Sequence, residues 1–327
     1  MPPTALEPFP KIELHVHLEG TVRPDTLRAV AKRNDYALPD ELESRLEFRD
    51  FAHFLDAFVL TTGALQHYED FRQIVVAYAA EAKEHGAVYL EAIFAPRILH
   101  GIDTDEVFAG YCDGAQEARE AHGIEVWLTP DIPRVYTLED AMKTARYAVK
   151  YRERGVLGIG LGGPEEGNPP EPYAEAFALA RDGGLASVPH AGEGAGAESV
   201  RGALETLGAD RIRHGVRAVE DPGLVDELAD RGTILDICPI SNVRLGIVSS
   251  LEEHPLPQLV AAGIPCSIST DDPAIFDTDL TRDYEAAATL GVSPRAAYEA
   301  GVAGALCDDA TRRHLRQIGD SHDWGDR

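Results

Sequence analysis

Residues 12–18 read Ile12-Glu13-Leu14-His15-Val16-His17-Leu18. Successive side chains of a strand point to opposite faces, so His15 and His17 share one face while Val16 points back the other way. Seven more short, apolar, β-rich runs follow at residues 87–96, 125–132, 156–163, 186–193, 211–216, 233–239 and 266–273, with stretches of helical periodicity between them. Strands alternating with helices pair in parallel through right-handed crossovers. Eight such units predict an α/β fold closed as a (β/α)8 TIM barrel, an open doubly wound sheet being the alternative.

The connecting segments carry the marks of an outer helical ring. Residues 70–84 place Phe71, Ile74, Val75, Tyr78 and Ala79 at helical spacing. Asp221-Pro222 reads as an N-cap followed by a first-turn proline, ahead of the stripe Leu224, Val225 and Leu228. Gly86, Gly123, Gly155, Gly184, Gly232 and Gly263 each stand shortly before a predicted strand, where the end of a helix favours a left-handed residue. About seventy residues separate the first two strands. This helical insertion places Phe51, Phe54, Leu55 and Phe58 on one face, either as a helix packed on the barrel or as a lid giving apolar walls to a flat ligand. Beyond about Arg312 the chain turns polar, and residues 313–327 are expected to fray. With no internal repeat or linker, residues 1–327 are expected to form one domain.

The chain carries 30 Lys+Arg against 56 Asp+Glu, a formal charge of −26. So acidic a surface repels phosphate backbones and disfavours nucleic acid as a partner. No apolar run approaches the ~18 residues of a membrane helix, and the first ten residues lack the basic start and apolar core of a secretory signal. Cys112, Cys238, Cys266 and Cys307 show no paired spacing, which fits a reducing cytoplasm. The sequence is silent on oligomeric state.

In a barrel of this kind the C-terminal strand ends face one mouth. Those ends carry His15 and His17, then Gly162 and Gly163, His190 and Glu193, His214, and finally Asp271 and Asp272. Two adjacent buried imidazoles are difficult to satisfy without an ion, and zinc takes imidazole nitrogen and carboxylate oxygen in tetrahedral geometry. Each feature also has a plainer explanation. A His-x-His pair occurs on exposed strands by chance, Asp271-Asp272 can be a solvated turn before Pro273, and Glu193 can be an ordinary acidic residue at a helix start. Their arrival at one rim favours a metal centre.

Together these motifs resemble the adenosine deaminase family of zinc amidohydrolases. The resemblance runs from Pro10-Lys11-Ile12-Glu13-Leu14-His15-Val16-His17-Leu18-Glu19-Gly20, through Pro189-His190-Ala191-Gly192-Glu193 and Arg213-His214-Gly215, to Ser269-Thr270-Asp271-Asp272-Pro273-Ala274-Ile275-Phe276. It implies one zinc per chain held by His15, His17, His190 and Asp271. It further implies Glu193 as proton shuttle, His214 as the charge-stabilising partner of the attacking hydroxide, and Asp272 as that nucleophile's hydrogen-bond acceptor. Zinc there lowers the pKa of water from 15.7 to ~7, and ammonia leaves a 6-aminopurine ring.

The resemblance also implies that His17, Glu19, Gly163 and Asp272 meet the substrate, with Phe54 and Phe58 as its apolar walls. Adenosine-specific members carry Asp at the Glu19 position, where it binds ribose, whereas members acting on free adenine carry Glu. The Thr-Asp-Asp-Pro-x-Ile-Phe stretch and Gly-Ala-Gly-Ala-Glu look more like nucleoside deaminases. The expected substrate is therefore adenosine or a close nucleoside, with adenine or a modified nucleoside such as 6-aminodeoxyfutalosine as alternatives. Gly160 stands where many relatives have Asp, and the sequence alone attaches no consequence to it.

Competing chemistries fit less well. Two-metal amidohydrolases also open with His-x-His but need a lysine at the end of the fourth strand, which here reads Gly-Leu-Gly-Gly-Pro. Zinc deaminases of the H-x-E…P-C-x-x-C type fail because Pro265-Cys266 is followed three residues on by Ser269. A catalytically dead nucleoside-binding barrel would have lost Glu193 or a zinc ligand, and all are present.

Overall fold

The computed structural model describes residues 8–42, 51–96 and 101–325. The start read as carrying no secretory signal thus falls largely outside the described residues, as does the Phe51 side chain. All eight expected strand runs form strands: β1 Lys11–His17, β2 Ala87–Ile93, β3 Glu125–Leu128, β4 Asp131–Pro133, β5 Gly158–Gly162, β6 Ala186–Ser187, β7 His190–Ala191, β8 Arg211–His214, β9 Ile234–Ile237 and β10 Cys266–Ile268. There are ten because two runs are broken, between β3 and β4 at Pro130 and between β6 and β7 at Pro189. Proline has no N–H to give to a ladder.

Every strand pairing is parallel. A bridge from Leu128 to Val156 carries the sheet past the first break. The circuit returns on itself where Val16 pairs with Asp271: His17 N donates to Asp271 O at 2.7 Å and Asp271 N to His15 O at 3.1 Å. These two bonds bring the first and last parts of the chain to one rim, so a site can use residues 256 positions apart. The fold is the expected TIM barrel.

The helices between the strands bury the stripes expected of them. Phe71, Ile74, Val75, Tyr78 and Ala79 face inward from the helix Tyr68–Glu84, and Leu224, Val225 and Leu228 from Pro222–Arg231, whose N-cap Asp221 accepts from Gly223 N and Leu224 N. All six punctuating glycines have positive φ.

The tail departs from expectation. Residues 309–321 form the helix Asp309–Ser321 rather than a frayed end. Leu315 is fully buried, Ile318 packs beside it, and the Trp324 ring lies 5.4 Å from Tyr298. Leu315 and Ile318 on the helix, with Trp324 just past its end, suffice in this polar stretch because all three join one apolar cluster with Ile12, Leu14, Tyr89 and Tyr298. Arg312 fastens the start of this helix by donating to the carbonyls of Val302, Ala303 and Ala305.

Inside the barrel the packing is ionic as well as apolar. Arg211 is buried with Nε 2.6 Å from Asp236 Oδ2 and Nη2 2.7 Å from Glu91 Oε2, while Ser267 Oγ donates to the other Asp236 oxygen at 2.6 Å. Two residues further along β8, Arg213 pairs with Asp131 and donates to Thr129 Oγ1 at 2.7 Å. These two rungs form a charged floor directly beneath the mouth.

Candidate active site

At the mouth the ends of β1, β7 and β10 converge. His190 Nε2 lies 3.1 Å from His15 Nε2 and 3.2 Å from His17 Nε2, and Asp271 Oδ1 lies 3.3 Å from both His15 and His17 Nε2. Four ligands about 2.0–2.1 Å from a central zinc stand roughly 3.3 Å apart along the tetrahedron's edges. Four of the six spacings among these atoms match such an edge, which supports a shared cation. Groups whose ligand atoms all lie within 4.8 Å of one another nevertheless separate the two strand histidines, placing His15 with His190, His214 and Asp271, and His17 with Asp271 and Asp272. His214 also comes within 4.8 Å of His15, His190 and Asp271, but its Nε2 stands 3.9 Å from Asp271 Oδ2, outside the tighter set.

Burial disposes of the plainer explanations. His15 is fully enclosed, and Asp271 and Asp272 are 4% and 1% exposed, so they are no solvated turn. Burial is the first cause holding the His15, His190 and His214 imidazoles neutral, the form in which a histidine nitrogen can ligate. Burial acts to raise Asp271, yet its hydrogen-bonding contacts with His15 and His17 outweigh that and hold it well below the usual carboxylate range.

Backbone strain sits here too. His214 and Asp271 have φ of 61° and 67°, in the left-handed region, which costs of order 1–3 kcal/mol for a non-glycine residue. Strict alternation along β8 would place His214 on the side of Ile212. The left-handed turn swings its imidazole to the mouth instead.

The far sides of the ligands are held by residues that the motifs did not reveal. His190 Nδ1 faces Leu161 O at 3.2 Å and Asp131 Oδ2 at 3.3 Å, which leaves Nε2 for a cation. Ser241 Oγ donates to Asp271 Oδ2 at 2.6 Å. Glu165 accepts from the backbone N–H of Gly192, Glu193 and Gly194, clamping the loop that carries Glu193. Ser241 and its neighbour Asn242 had one available signal, standing just past a strand end on the mouth side. Glu165 had none.

Glu193 is 7% exposed, with Oε1 3.4 Å from His214 Nε2. Burial first, then the charges of Asp271 and Glu165, push its carboxyl well above the ordinary range. Asp272 is raised likewise by burial and by Asp271, and its Oδ1 is buried without a partner. Glu19 is fully buried: Oε1 accepts from Ala95 N and Tyr111 Oη, both at 3.0 Å, while Oε2 has no partner. The cavity above is walled by Phe54, Leu55, Phe58 and Val59 on one side and by Gly163 and Tyr136 on another. The helix Phe51–Ala64 thus both packs on the barrel and lines its mouth, with Phe58 edge-on to His17 at 6.1 Å and Phe54 stacked on Phe276 at 5.2 Å.

The family model for adenosine deaminase matches residues 10–319, spanning every strand of this barrel. The chain belongs to the adenosine deaminase family. Aminodeoxyfutalosine deaminase from Acidothermus cellulolyticus is 51% identical over 98% of this chain and 94% of its own. Adenine deaminase from Arthrobacter aurescens superposes with a TM-score of 0.90 at 29% identity, covering 95% of this chain and 98% of that one. An amidohydrolase from Burkholderia ambifaria, solved with bound Zn, gives 0.89 at 27% identity, covering 96% and 90%. Like its relatives in the adenosine deaminase family, the protein is a hydrolytic deaminase of an adenine-type substrate.

The structure gives a reason for the one unexplained departure from the adenosine deaminase pattern. A Cβ at Gly160 would lie 2.0 Å from Asp131 Oδ1 and 2.2 Å from Arg213 Nη1. The neighbouring strand's carboxylate already fills that space, so only glycine fits. Among the described residues, no helix is long and apolar enough to cross a membrane.

Proposed function

We propose that this deaminase removes the 6-amino group of 6-aminodeoxyfutalosine, with one zinc per chain held by His15, His17, His190 and Asp271. The observation that carries the substrate is the 51% identity to an aminodeoxyfutalosine deaminase along nearly the whole of both chains. It moves this modified nucleoside ahead of adenosine. The apolar wall of Phe54, Leu55, Phe58 and Val59 offers a face for the flat ring of such a ligand. Free adenine is the second reading, favoured by the Glu19 side chain and by the likeness to adenine deaminases.

Zinc bound here supplies a water acidic enough to lose its proton near neutral pH. The chain's own groups do the rest. Asp272 Oδ1, buried and unpartnered, accepts a hydrogen bond from the attacking water. His214 Nε2 faces the same point and offsets the charge that develops there. Glu193, protonated because it is buried among carboxylates, gives its proton to the ring nitrogen beside the amino-bearing carbon. The proton that the attacking water gives up through Asp272 passes to the amino group, and ammonia leaves as the C–N bond breaks. Gly163 brings backbone against the purine without a side chain, whereas Glu19, fully buried with Oε2 unpartnered, stands behind the residues that line the cavity and acts on the ligand only through them.

The test is ammonia release from 6-aminodeoxyfutalosine, adenine, adenosine and 2′-deoxyadenosine, with Glu19→Asp run beside the unaltered protein. The expected result is the highest kcat/KM on 6-aminodeoxyfutalosine, with Glu19→Asp shifting the ranking among the other three toward adenosine. A higher kcat/KM on adenine or adenosine than on 6-aminodeoxyfutalosine would overturn the substrate assignment.

A further inference from the structure

Behind His214 runs a chain of buried hydrogen bonds that the proposed chemistry does not yet use. Leu256 N donates to His254 Nδ1 at 3.0 Å, His254 Nε2 lies 3.2 Å from Asn242 Oδ1, and Asn242 Nδ2 lies 3.1 Å from His214 Nδ1. His254, Asn242 and His214 are 3%, 0% and 1% exposed. The direction of every bond follows from the first. A backbone N–H can only donate, so His254 Nδ1 is an acceptor and carries no proton. The proton of a neutral His254 must then sit on Nε2, where it is donated to the Asn242 oxygen. Burial, which lowers the His254 pKa to about 4, keeps that ring neutral. With its oxygen so engaged, Asn242 turns its amide nitrogen to His214 and donates to Nδ1. His214 Nδ1 is thereby an acceptor, and the ring's proton is placed on Nε2, the nitrogen 3.4 Å from Glu193 Oε1.

We infer that Asn242 and His254 are positioning residues that lock His214 in its Nε2–H tautomer, so that it presents a donor to the reaction centre, and that turnover depends on this lock. The second half rests on the role proposed for His214. A backbone amide on the helix Leu256–Ala261 thus sets the polarity of a group three hydrogen bonds away. Enzymes are sensitive to such settings: presenting the wrong histidine tautomer in a serine-protease triad costs about 10⁴-fold in kcat.

Asn242→Asp tests the lock with almost no change of shape, since it replaces the donating amide by an acceptor. The measurement is ¹⁵N NMR of histidine-labelled, metal-loaded protein, paired with kcat and KM on 6-aminodeoxyfutalosine or adenine, whichever is turned over. The unaltered protein should show His214 protonated on Nε2 with Nδ1 bare. Asn242→Asp should put a proton on Nδ1 and lower kcat by roughly 10²- to 10⁴-fold, with KM within about twofold and metal content unchanged. His254→Phe, a second variant, frees Asn242 to rotate and should move both ring-nitrogen signals toward a mixture of tautomers. If Nδ1 stays bare in Asn242→Asp, or His254→Phe leaves the signals unmoved, the lock is refuted. If the proton moves to Nδ1 and kcat does not fall, the lock stands and the role proposed for His214 fails.

Discussion

Glu193→Gln is expected to retain its metal and lose at least ~10²-fold in kcat, typical of removing a general acid–base group. The substitution keeps the side chain's shape, and Glu165 still clamps the loop, because its bonds go to the backbone N–H groups of residues 192–194. What disappears is the transferable proton. The native carboxyl holds that proton because it is buried beside Asp271 and Glu165. An amide can occupy the space but cannot give a proton to the ring nitrogen. Metal analysis and steady-state ammonia release on the same preparation check this result. Near-normal release from the variant would remove Glu193 from the mechanism.

The second large effect is on stability. Arg211→Met should cost about 3–5 kcal/mol, as expected when one partner of a buried ion pair is removed. Methionine approximates the arginine stem, so little cavity forms. The loss comes from leaving Glu91 and Asp236 enclosed without their counter-charge, and from stripping donors from Leu14 O and Gly304 O. Asp236 is already pushed upward by burial even with Arg211 beside it. Urea unfolding midpoints compared at one m-value give the number, and a loss under about 1 kcal/mol would show that the floor of the barrel is not held by this pair. Adding Glu91→Gln and Asp236→Asn to Arg211→Met should recover part of the loss, because burying neutral groups carries a smaller desolvation cost.

How much of this was legible in the sequence follows from the range of each signal. Strand runs and glycine caps are local, and every one of the eight runs and six glycines appears where it was read. Local chemistry also hid in plain view. Pro130 and Pro189 interrupt the runs at 125–132 and 186–193, and the ladder breaks at both. Leu315, Ile318 and Trp324 were too sparse to register as a stripe, yet they turn the tail into a docked helix.

The candidate site was legible because the barrel sends strand ends to one rim, so a residue's place at the end of a run predicts its company. That logic brought His15, His17, His190, Glu193, His214, Asp271 and Asp272 together. It could not find the residues standing behind them. Asn242, His254 and Glu165 sit on connections, and Asp131 opens the short strand β4 after the Pro130 break, none at a fixed spacing from a motif. Arg211 and Arg213 were visible as alternating residues on one strand, but their partners Glu91, Asp236 and Asp131 lie on other strands, and only the closed circuit shows which charge meets which.

The proposed chemistry depends on His15, His17, His190 and Asp271 closing around a single cation, and elemental analysis of the purified, dialysed protein tests that most directly. One zinc per chain, lost when Asp271 is replaced by alanine, is the result these distances predict. Two metals per chain, or none in a preparation that still releases ammonia from its purine substrate, would contradict it.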